Sequence, residues 1–250
     1  MPLVGMSKTA IGWTAGEMRL LFGCFSIIIG LSAATYGQTT KPTSRPSTVG
    51  TVAASAADVN PLAAGDNLPA VVLKTASGQP FDLKAEVAKK PTVLIFYRGG
   101  WCPFCNRQMS GLQGIVKDLQ DSGYQLLAIS PDLPIELGKS IDKHSLTYTL
   151  LSDANAEAIR AFGLAFRVDD GTYAHMLGLG VDLEKASGEK HHALPVPAVY
   201  IVRMDGVIQF VHYDPDFKKR MDPAEIVKEA KLALGKSPAP ATTPSVPNTR

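Results

Sequence analysis

The fold is decided by a stretch in the middle of the chain, residues 96–108, which reads Phe-Tyr-Arg-Gly-Gly-Trp-Cys-Pro-Phe-Cys-Asn-Arg-Gln. The residues that lead into it, Thr92 to Tyr97, are strand formers. Beyond it, apolar side chains recur at helical spacings of three and four: Met109, Leu112, Val116 and Leu119. Gly123 then supplies a helix stop signal. The sequence therefore predicts a strand, a short junction and one amphipathic helix.

Two cysteines lie in this junction, with Cys102 next to the start of the predicted helix. Unpaired N–H groups and the helix dipole favour an anion at that place, so the pattern predicts a stabilised Cys102 thiolate. Pro103 can begin the helix without losing a hydrogen bond. Cys105 follows three residues later, which brings a second thiol within reach of the first. The pair is therefore predicted to be a redox site.

The residues before Cys102 extend this candidate site. Arg98 is predicted to act as a cation beside the thiolate and to lower its pKa. Gly99 and Gly100 predict an exposed loop, which argues against an inert buried pair. Trp101 is interpreted as a lid on the thiols.

Other uses of the cysteines and of nearby charges fit the sequence less well. A disulfide between Cys102 and Cys105 closes too small a loop to staple a fold usefully. Zinc binding needs a second pair of ligands, and the one candidate pair is His191-His192. No metal is predicted. The run Lys218-Lys219-Arg220 is interpreted as a solvated turn.

The composition is that of an ordinary globular protein. The 250 residues are 45% hydrophobic and 19% charged, with a formal net charge of +2. This is enough for one domain plus tails, and no basic stripe with interleaved aromatics points to nucleic acid. No cofactor is expected, because thiols carry their own electrons and neither a dinucleotide fingerprint nor a phosphate loop is present.

The two ends of the chain are predicted to lie outside the folded domain. Residues 1–37 contain the apolar run Leu20 to Ala34, which is typical of a signal peptide and predicts an exported, periplasmic or cell-envelope protein. An uncleaved anchor is the alternative, and it would be the chain's one contact with a membrane. Residues 38–60 and 236–250 are predicted to be a disordered linker and a disordered tail, which leaves 61–235 as the domain.

Within that domain, strand and helix patterns alternate. The predicted strands are Ala70 to Thr75, Phe81 to Leu83, Thr92 to Tyr97, Tyr124 to Ser130, Thr147 to Leu151, Val199 to Val202 and Val207 to Val211. Five helices are predicted. The first begins after Cys102, the second spans Pro134 to His144, and the third begins after Asp153, which is its predicted N-cap. The fourth lies near Met176 to Leu183, and the fifth spans Pro223 to Leu234. This order predicts an α/β fold with a central mixed sheet flanked by helices.

Residues 96–106 resemble the active-site segment of peroxiredoxin-like proteins of the alkyl hydroperoxide reductase and thiol-specific antioxidant family. Leu150-Leu151-Ser152-Asp153, followed by Phe162-Gly163, is similar to a second family stretch, and the likeness spans about residues 65 to 235. The resemblance implies a thioredoxin-like fold. It also implies that Pro197 is a cis-proline which faces the thiols and presents backbone to a substrate chain.

The chain departs from the family pattern at two positions. Peroxiredoxins typically carry Thr or Ser three residues before the reactive Cys, where this chain has Gly99, and an Arg where it has Pro197. Both typical residues polarise the peroxide, and Arg98 is the cation left to do so.

Three functions are consistent with these residues. In the first, implied by the resemblance, Cys102 reduces hydroperoxides through a sulfenic acid and a Cys102–Cys105 disulfide, which a thioredoxin-type reductant recycles. The second is thiol–disulfide reduction on other exported proteins. The third is a non-catalytic binding module in which the cysteine pair is a structural clip.

Overall fold

The computed structural model describes residues 50–235. Within this range the strands are β1 Val72–Thr75, β2 Pro80–Asp82, β3 Thr92–Phe96, β4 Gln125–Ser130, β5 Thr149–Ser152, β6 Ala165–Arg167, β7 Ala193–Pro195, β8 Ala198–Val202 and β9 Ile208–Tyr213. The α-helices are α1 Leu83–Val87, α2 Pro103–Gln113, α3 Val116–Asp121, α4 Pro134–His144, α5 Glu157–Ala161, α6 Asp170–Gly178, α7 Leu183–Ser187 and α8 Pro223–Leu234. A short 3₁₀ turn, Ala56–Asp58, precedes them.

Seven of these strands form one sheet in the order β2-β1-β5-β4-β3-β8-β9. The central strand β3 runs parallel to β4 and antiparallel to β8. All five residues of β3 are buried, as expected for a strand covered on both faces. The predicted α/β fold with a mixed sheet is confirmed.

Successive side chains of β3 point to opposite faces of the sheet, so the strand divides the core in two. Leu94 and Phe96 join a cluster of aliphatic and aromatic residues. Val93 and Ile95 join a second cluster, which also holds Tyr97 and both cysteines. We call these the aromatic face and the thiol face of the sheet.

The helix after Cys102 differs from the prediction of a single continuous element. It is interrupted between α2 and α3, where Gly114 N donates to Gly111 O at 3.1 Å and Ile115 N donates to Leu112 O at 3.1 Å. Such bonds to the third residue back tighten the turn, and glycine is a weak helix former. The four predicted apolar positions are nevertheless all buried.

The prediction was also incomplete between residues 165 and 195. One helix was expected near Met176 to Leu183, but α6 and α7 are separate helices, and strands β6 and β7 pair on either side of them. The side chains of Asp169 and Asp182 cap the two helix starts, and Gly180 has φ 79° just beyond the end of α6. The two caps and the turn between them explain why one helix cannot span this segment.

The predicted linker, residues 38–60, differs from the structure in its C-terminal part. Ala53 N donates to Ala165 O at 2.9 Å, and Asn60 N donates to Gly163 O at 3.1 Å. Val59 packs on the aromatic face. These bonds hold residues 53–60 against the domain, so the predicted start at Pro61 is too late. The predicted signal peptide, residues 38–49 and the tail 236–250 lie outside the described residues.

In the described part of the chain, no helix combines the length and the apolar character needed to cross a membrane.

Candidate active site

Cys102 is the residue at which the backbone enters helix α2. It has extended backbone angles, φ −85° and ψ 120°, and Pro103 is the first helical residue. Asn106 N donates to Cys102 O at 3.0 Å, which begins the helical pattern. The predicted position of Cys102 at a helix N-terminus is therefore confirmed.

The two thiols have opposite electrostatic environments. The pKa of Cys102 is lowered to about 6, chiefly because the Cys105 thiol donates to its sulfur, and further by backbone N–H groups of Cys105 and Phe104 and by the charge of Arg98. Burial acts against this shift. The pKa of Cys105 is raised well above its ordinary value, because it donates to Cys102 and is buried. Cys102 is thus the ionised thiol at neutral pH, and Cys105 is its protonated partner.

Arg98 lies beside this pair on the thiol face. Burial lowers the pKa of its guanidinium, whereas the two cysteines raise it. The guanidinium carbon is 4.2 Å from the ring centre of Phe217 and 5.1 Å from that of Trp101. Arg98 therefore packs against two aromatic rings and lies close enough to the cysteines for their charges to raise its pKa.

The predicted exposed glycine loop is instead tightly covered. Gly99 is buried, and a Cβ atom there would overlap the Trp101 indole nitrogen and lie 2.8 Å from Asp132 Oδ1. A Cβ atom on Gly100 would overlap Ser140 Oγ. Both thiols are buried as well, with Cys102 only 1% exposed. The sequence indicated the need for glycine but not its reason, which is close packing rather than exposure.

Asp132 is a site residue that the sequence analysis missed. Its carboxylate accepts from Gly100 N at 2.8 Å and from Ser130 Oγ at 3.0 Å. Burial raises its pKa to about 7, although these hydrogen bonds oppose the shift. A signal was available, since β3 and β4 were both predicted as buried strands. Residues that follow parallel neighbours meet at one edge of a sheet.

Arg220 was missed too, because its sequence run was interpreted as a solvated turn. Lys218 and Lys219 are exposed as predicted, but Arg220 is half-buried. Its Nη2 atom donates to Cys105 Sγ at 3.5 Å, and its Nε atom donates to Gln108 Oε1 at 2.9 Å. No local pattern could reveal this contact, since Arg220 and Cys105 are 115 residues apart.

The remaining residues of the candidate site are three aromatic side chains and the proline before β8. The rings of Phe104 and Phe217 meet edge to face, 5.6 Å apart. Trp101, the predicted lid, is half-buried and packs against both the thiol face and the cluster around α6 and α7. Pro197 is buried before β8, and its carbonyl accepts from Asp214 N at 3.4 Å.

The two histidines considered as metal ligands are engaged elsewhere. His191 Nε2 lies 2.8 Å from Ala154 O, and His192 Nε2 lies 2.9 Å from Glu184 Oε1. No group of three or more His, Cys, Asp or Glu side chains in residues 50–235 is arranged to hold a metal ion.

A thioredoxin-like sheet with two buried cysteines at the start of a helix defines a thiol-dependent oxidoreductase. Residues 64–211 match the model of the AhpC/TSA family. The chain therefore belongs to the AhpC/TSA family and is an oxidoreductase of peroxiredoxin type.

The chain is similar to proteins named for two kinds of thiol chemistry. A putative peroxiredoxin, bcp, of Haemophilus influenzae is 33% identical over 106 residues, which cover 42% of this chain and 68% of the relative. The crystal structure of the peroxidoxin BcpB from Mycobacterium tuberculosis superimposes with a TM-score of 0.54 at 18% identity, over 69% of this chain and 96% of that one. The thiol-disulfide oxidoreductase ResA of Halalkalibacterium halodurans is 25% identical over 102 residues, 40% of this chain and 57% of ResA.

Proposed function

We propose that this protein reduces hydroperoxides through Cys102 and resolves the product with Cys105. The Cys102 thiolate attacks one peroxide oxygen, the O–O bond breaks, and water or an alcohol leaves after taking a proton. The resulting sulfenic acid reacts with the Cys105 thiol, which forms the S–S bond and releases water. A thioredoxin-type dithiol then reduces the disulfide and is itself oxidised.

The observation that carries this proposal is the position of the two buried thiols, with Cys102 as the residue before α2 and Cys105 in its first turn. In this position the pKa of Cys102 is lowered to about 6, so the nucleophile is ionised at neutral pH. The pKa of Cys105 is raised, so the second thiol keeps its proton until Cys102 is oxidised. Since Cys105 lies in the first turn of α2, the disulfide can form without a rearrangement of distant elements.

The burial of the site favours a small substrate. Cys102 is 1% exposed and lies with Phe104 and Trp101 in the thiol face. A hydroperoxide group needs a narrow opening between these side chains, whereas a protein disulfide needs a wide one. The guanidinium of Arg98, a group that stays protonated in proteins, lies beside the reacting sulfur and stabilises the negative charge of the attack.

The proposal is tested by stopped-flow mixing of the reduced protein with hydrogen peroxide. We expect Cys102 to react faster than free cysteine by several orders of magnitude. Cys102→Ser should abolish the reaction, and Cys105→Ser should allow one turnover and then stop at the sulfenic acid, which dimedone traps. Reaction no faster than free cysteine contradicts the proposal.

A thiol–disulfide reductase acting on other proteins is the second candidate. It is favoured by Gly99, because the packing of Trp101 and Asp132 leaves no space for the hydroxyl side chain that typical peroxiredoxins carry there. The similarity to ResA, a thiol-disulfide oxidoreductase, points the same way. Rapid reduction of a protein disulfide, combined with slow peroxide consumption in the same preparation, would select this function.

We also propose that the protein acts after export, in the periplasm or cell envelope. The support is the sequence of residues 1–37, with Arg19 before an apolar run and small residues at its end. Cell fractionation with detection of the intact chain tests this. Recovery of all the protein in the cytoplasmic fraction contradicts it.

A further inference from the structure

The second cation of the site faces the second sulfur. Arg98 affects Cys102, whereas Arg220 donates from Nη2 to Cys105 Sγ. The charge of Arg220 lowers the pKa of Cys105, against the larger effects that raise it. Cys105 thus has Arg220 in direct contact, in addition to Arg98, which influences both thiols.

Arg220 is held firmly in this position. Its Nε atom donates to Gln108 Oε1 at 2.9 Å, while Nη1 donates to the carbonyls of Lys219, at 2.7 Å, and of Phe217. The two guanidinium groups are close enough for the charge of Arg220 to lower the pKa of Arg98. This repulsion is offset when a sulfur near both groups carries negative charge.

We infer that Arg220 is a catalytic residue of the second half of the cycle, in which its guanidinium stabilises negative charge on the Cys105 sulfur. The inference rests on the proposed disulfide chemistry. In resolution, Cys105 loses its proton and its sulfur attacks the Cys102 sulfenic sulfur, so the S–O bond breaks and the oxygen leaves as water. In recycling, a dithiol attacks Cys102, the S–S bond breaks and Cys105 leaves as a thiolate. The second thiol of the reductant then releases Cys102.

Oxidation of Cys102 makes Arg220 the main group that favours ionisation of Cys105. In the reduced protein, the hydrogen bond that Cys105 donates to Cys102, burial and the Cys102 charge all hold the proton on Cys105. Formation of the sulfenic acid removes the negative charge of Cys102, so Cys105 no longer donates a hydrogen bond to a thiolate. Burial then remains as the main opposing effect, and Arg220 becomes the group that favours ionisation. Cys105 is thereby a poor nucleophile before oxidation and a better one after it.

The first test follows both steps of oxidation in Arg220→Gln. Trp101 packs beside the thiols, so its fluorescence can report sulfenic acid formation, which depends on peroxide concentration, and disulfide formation, which does not. We expect the first step to stay within about twofold and the second to slow about tenfold, as for loss of a charge-assisted hydrogen bond. Lys219→Gln removes a neighbouring exposed charge and should change neither step. An unchanged second step in Arg220→Gln overturns the inference.

A second variant keeps the test decisive if Arg220→Gln does not fold. Gln108→Met removes the acceptor of Arg220 Nε but retains the charge, and it should slow the same step to a smaller extent. A folded Gln108→Met protein with wild-type resolution would contradict the requirement for a fixed guanidinium.

A third measurement does not depend on peroxide. The disulfide form is prepared with an external disulfide, and its reduction by dithiothreitol is timed in wild type, Arg220→Gln and Lys219→Gln. We expect about tenfold slower reduction in Arg220→Gln alone, because Cys105 becomes a poorer leaving group. If peroxide fails to react with Cys102 but this difference persists, the proposed peroxidase function fails while the role of Arg220 stands. Equal reduction rates overturn that role.

Discussion

The aromatic face and the thiol face of the central sheet share strand β3 but differ in the side chains that they bury. On the aromatic face, the rings of Phe96 and Phe162 lie 4.6 Å apart, and those of Phe162 and Tyr200 lie 5.1 Å apart. On the thiol face, side chains that can ionise, such as Cys102 and Asp132, are buried next to apolar ones. Burial of apolar area stabilises a fold, whereas burial of ionisable groups changes their pKa values and opposes their charging. Both faces therefore stabilise the fold by apolar burial, and the thiol face also supplies the reactivity.

The largest effect we expect comes from truncation on the aromatic face. Phe162→Ala removes a fully buried ring that contacts two others, and it should lower the free energy of unfolding by about 3–5 kcal/mol. Denaturant unfolding measures this loss. The pKa of Cys102 should stay near 6 in the folded variant, because no group that sets it is changed. A shifted thiol pKa would show that the two faces are not independent.

The next effect is expected from Gly99→Ala on the thiol face. The added Cβ overlaps Trp101 and approaches Asp132, at a backbone φ of 151° that side chains rarely adopt, so a loss of about 1–3 kcal/mol is expected. Denaturant unfolding and Trp101 fluorescence check this. The matched control is Gly138→Ala in α4, where a Cβ meets nothing within 4 Å and alanine should be neutral or stabilising. Equal stability of the two variants would contradict the close packing at Gly99.

A smaller effect is expected when the cation beside Cys102 is removed. Arg98→Met should raise the pKa of Cys102 from about 6 and slow peroxide consumption at pH 6 about tenfold. Arg107→Gln, which removes an exposed charge from the same helix, should leave both unchanged. The thiol pKa is read from the pH dependence of alkylation. An unshifted value in Arg98→Met would mean that Cys105 and the backbone suffice to ionise Cys102.

The smallest expected effect is the pH dependence of stability. The thiol face contributes to it through Cys102 and Asp132, and Asp153, whose pKa burial raises to about 6, contributes from the segment before α5. The folded pKa of Cys102, about 6, lies below its ordinary value of 9.0, so its contribution is complete above pH 9 and is lost as pH falls through 6. The folded pKa of Asp132, about 7, lies above 3.8, so its contribution is complete below pH 4 and is lost as pH rises through 7.

These two slopes can be separated by substitution. Cys102→Ser should remove the rise in stability between pH 6 and 9, and Asp132→Asn should reduce the fall between pH 4 and 7, each by on the order of 1 kcal/mol. Urea unfolding at a series of pH values measures both. Phe162→Ala is the control from the other face and should shift the whole curve without changing its slopes. A changed slope in that variant would contradict the division between the faces.

Much of the fold was predictable because its signals are local. The helices Pro134–His144 and Pro223–Leu234 were predicted at the bounds that the structure has, since a proline begins each and a periodic apolar face follows. The hairpin of β8 and β9 was predicted from its turn residues. The insertion of α6 and α7 was not resolved, because its short elements carry too few periodic positions.

The candidate site was predictable only in its local half. Arg98 and Cys105 are close to Cys102 in sequence, and a strand followed by a helix is enough to bring them together. Asp132 and Arg220 come from other elements. The predicted end of β4 next to β3 was a signal for Asp132, but no local pattern indicated Arg220. Sequence patterns describe how a segment folds, not which distant segment it meets.

The sequence by itself determined a strand that leads to two thiols at the start of a helix. The apolar run, the proline at the first helical position and the spacing of the cysteines act over a few residues. Only the tertiary structure decided that Asp132 packs under Gly100, that Gly99 is closed in, and that Arg220 faces Cys105. These contacts join segments more than 30 residues apart, and they form because the sheet brings the strand ends and the connection after β9 to one edge, where burial sets the pKa values.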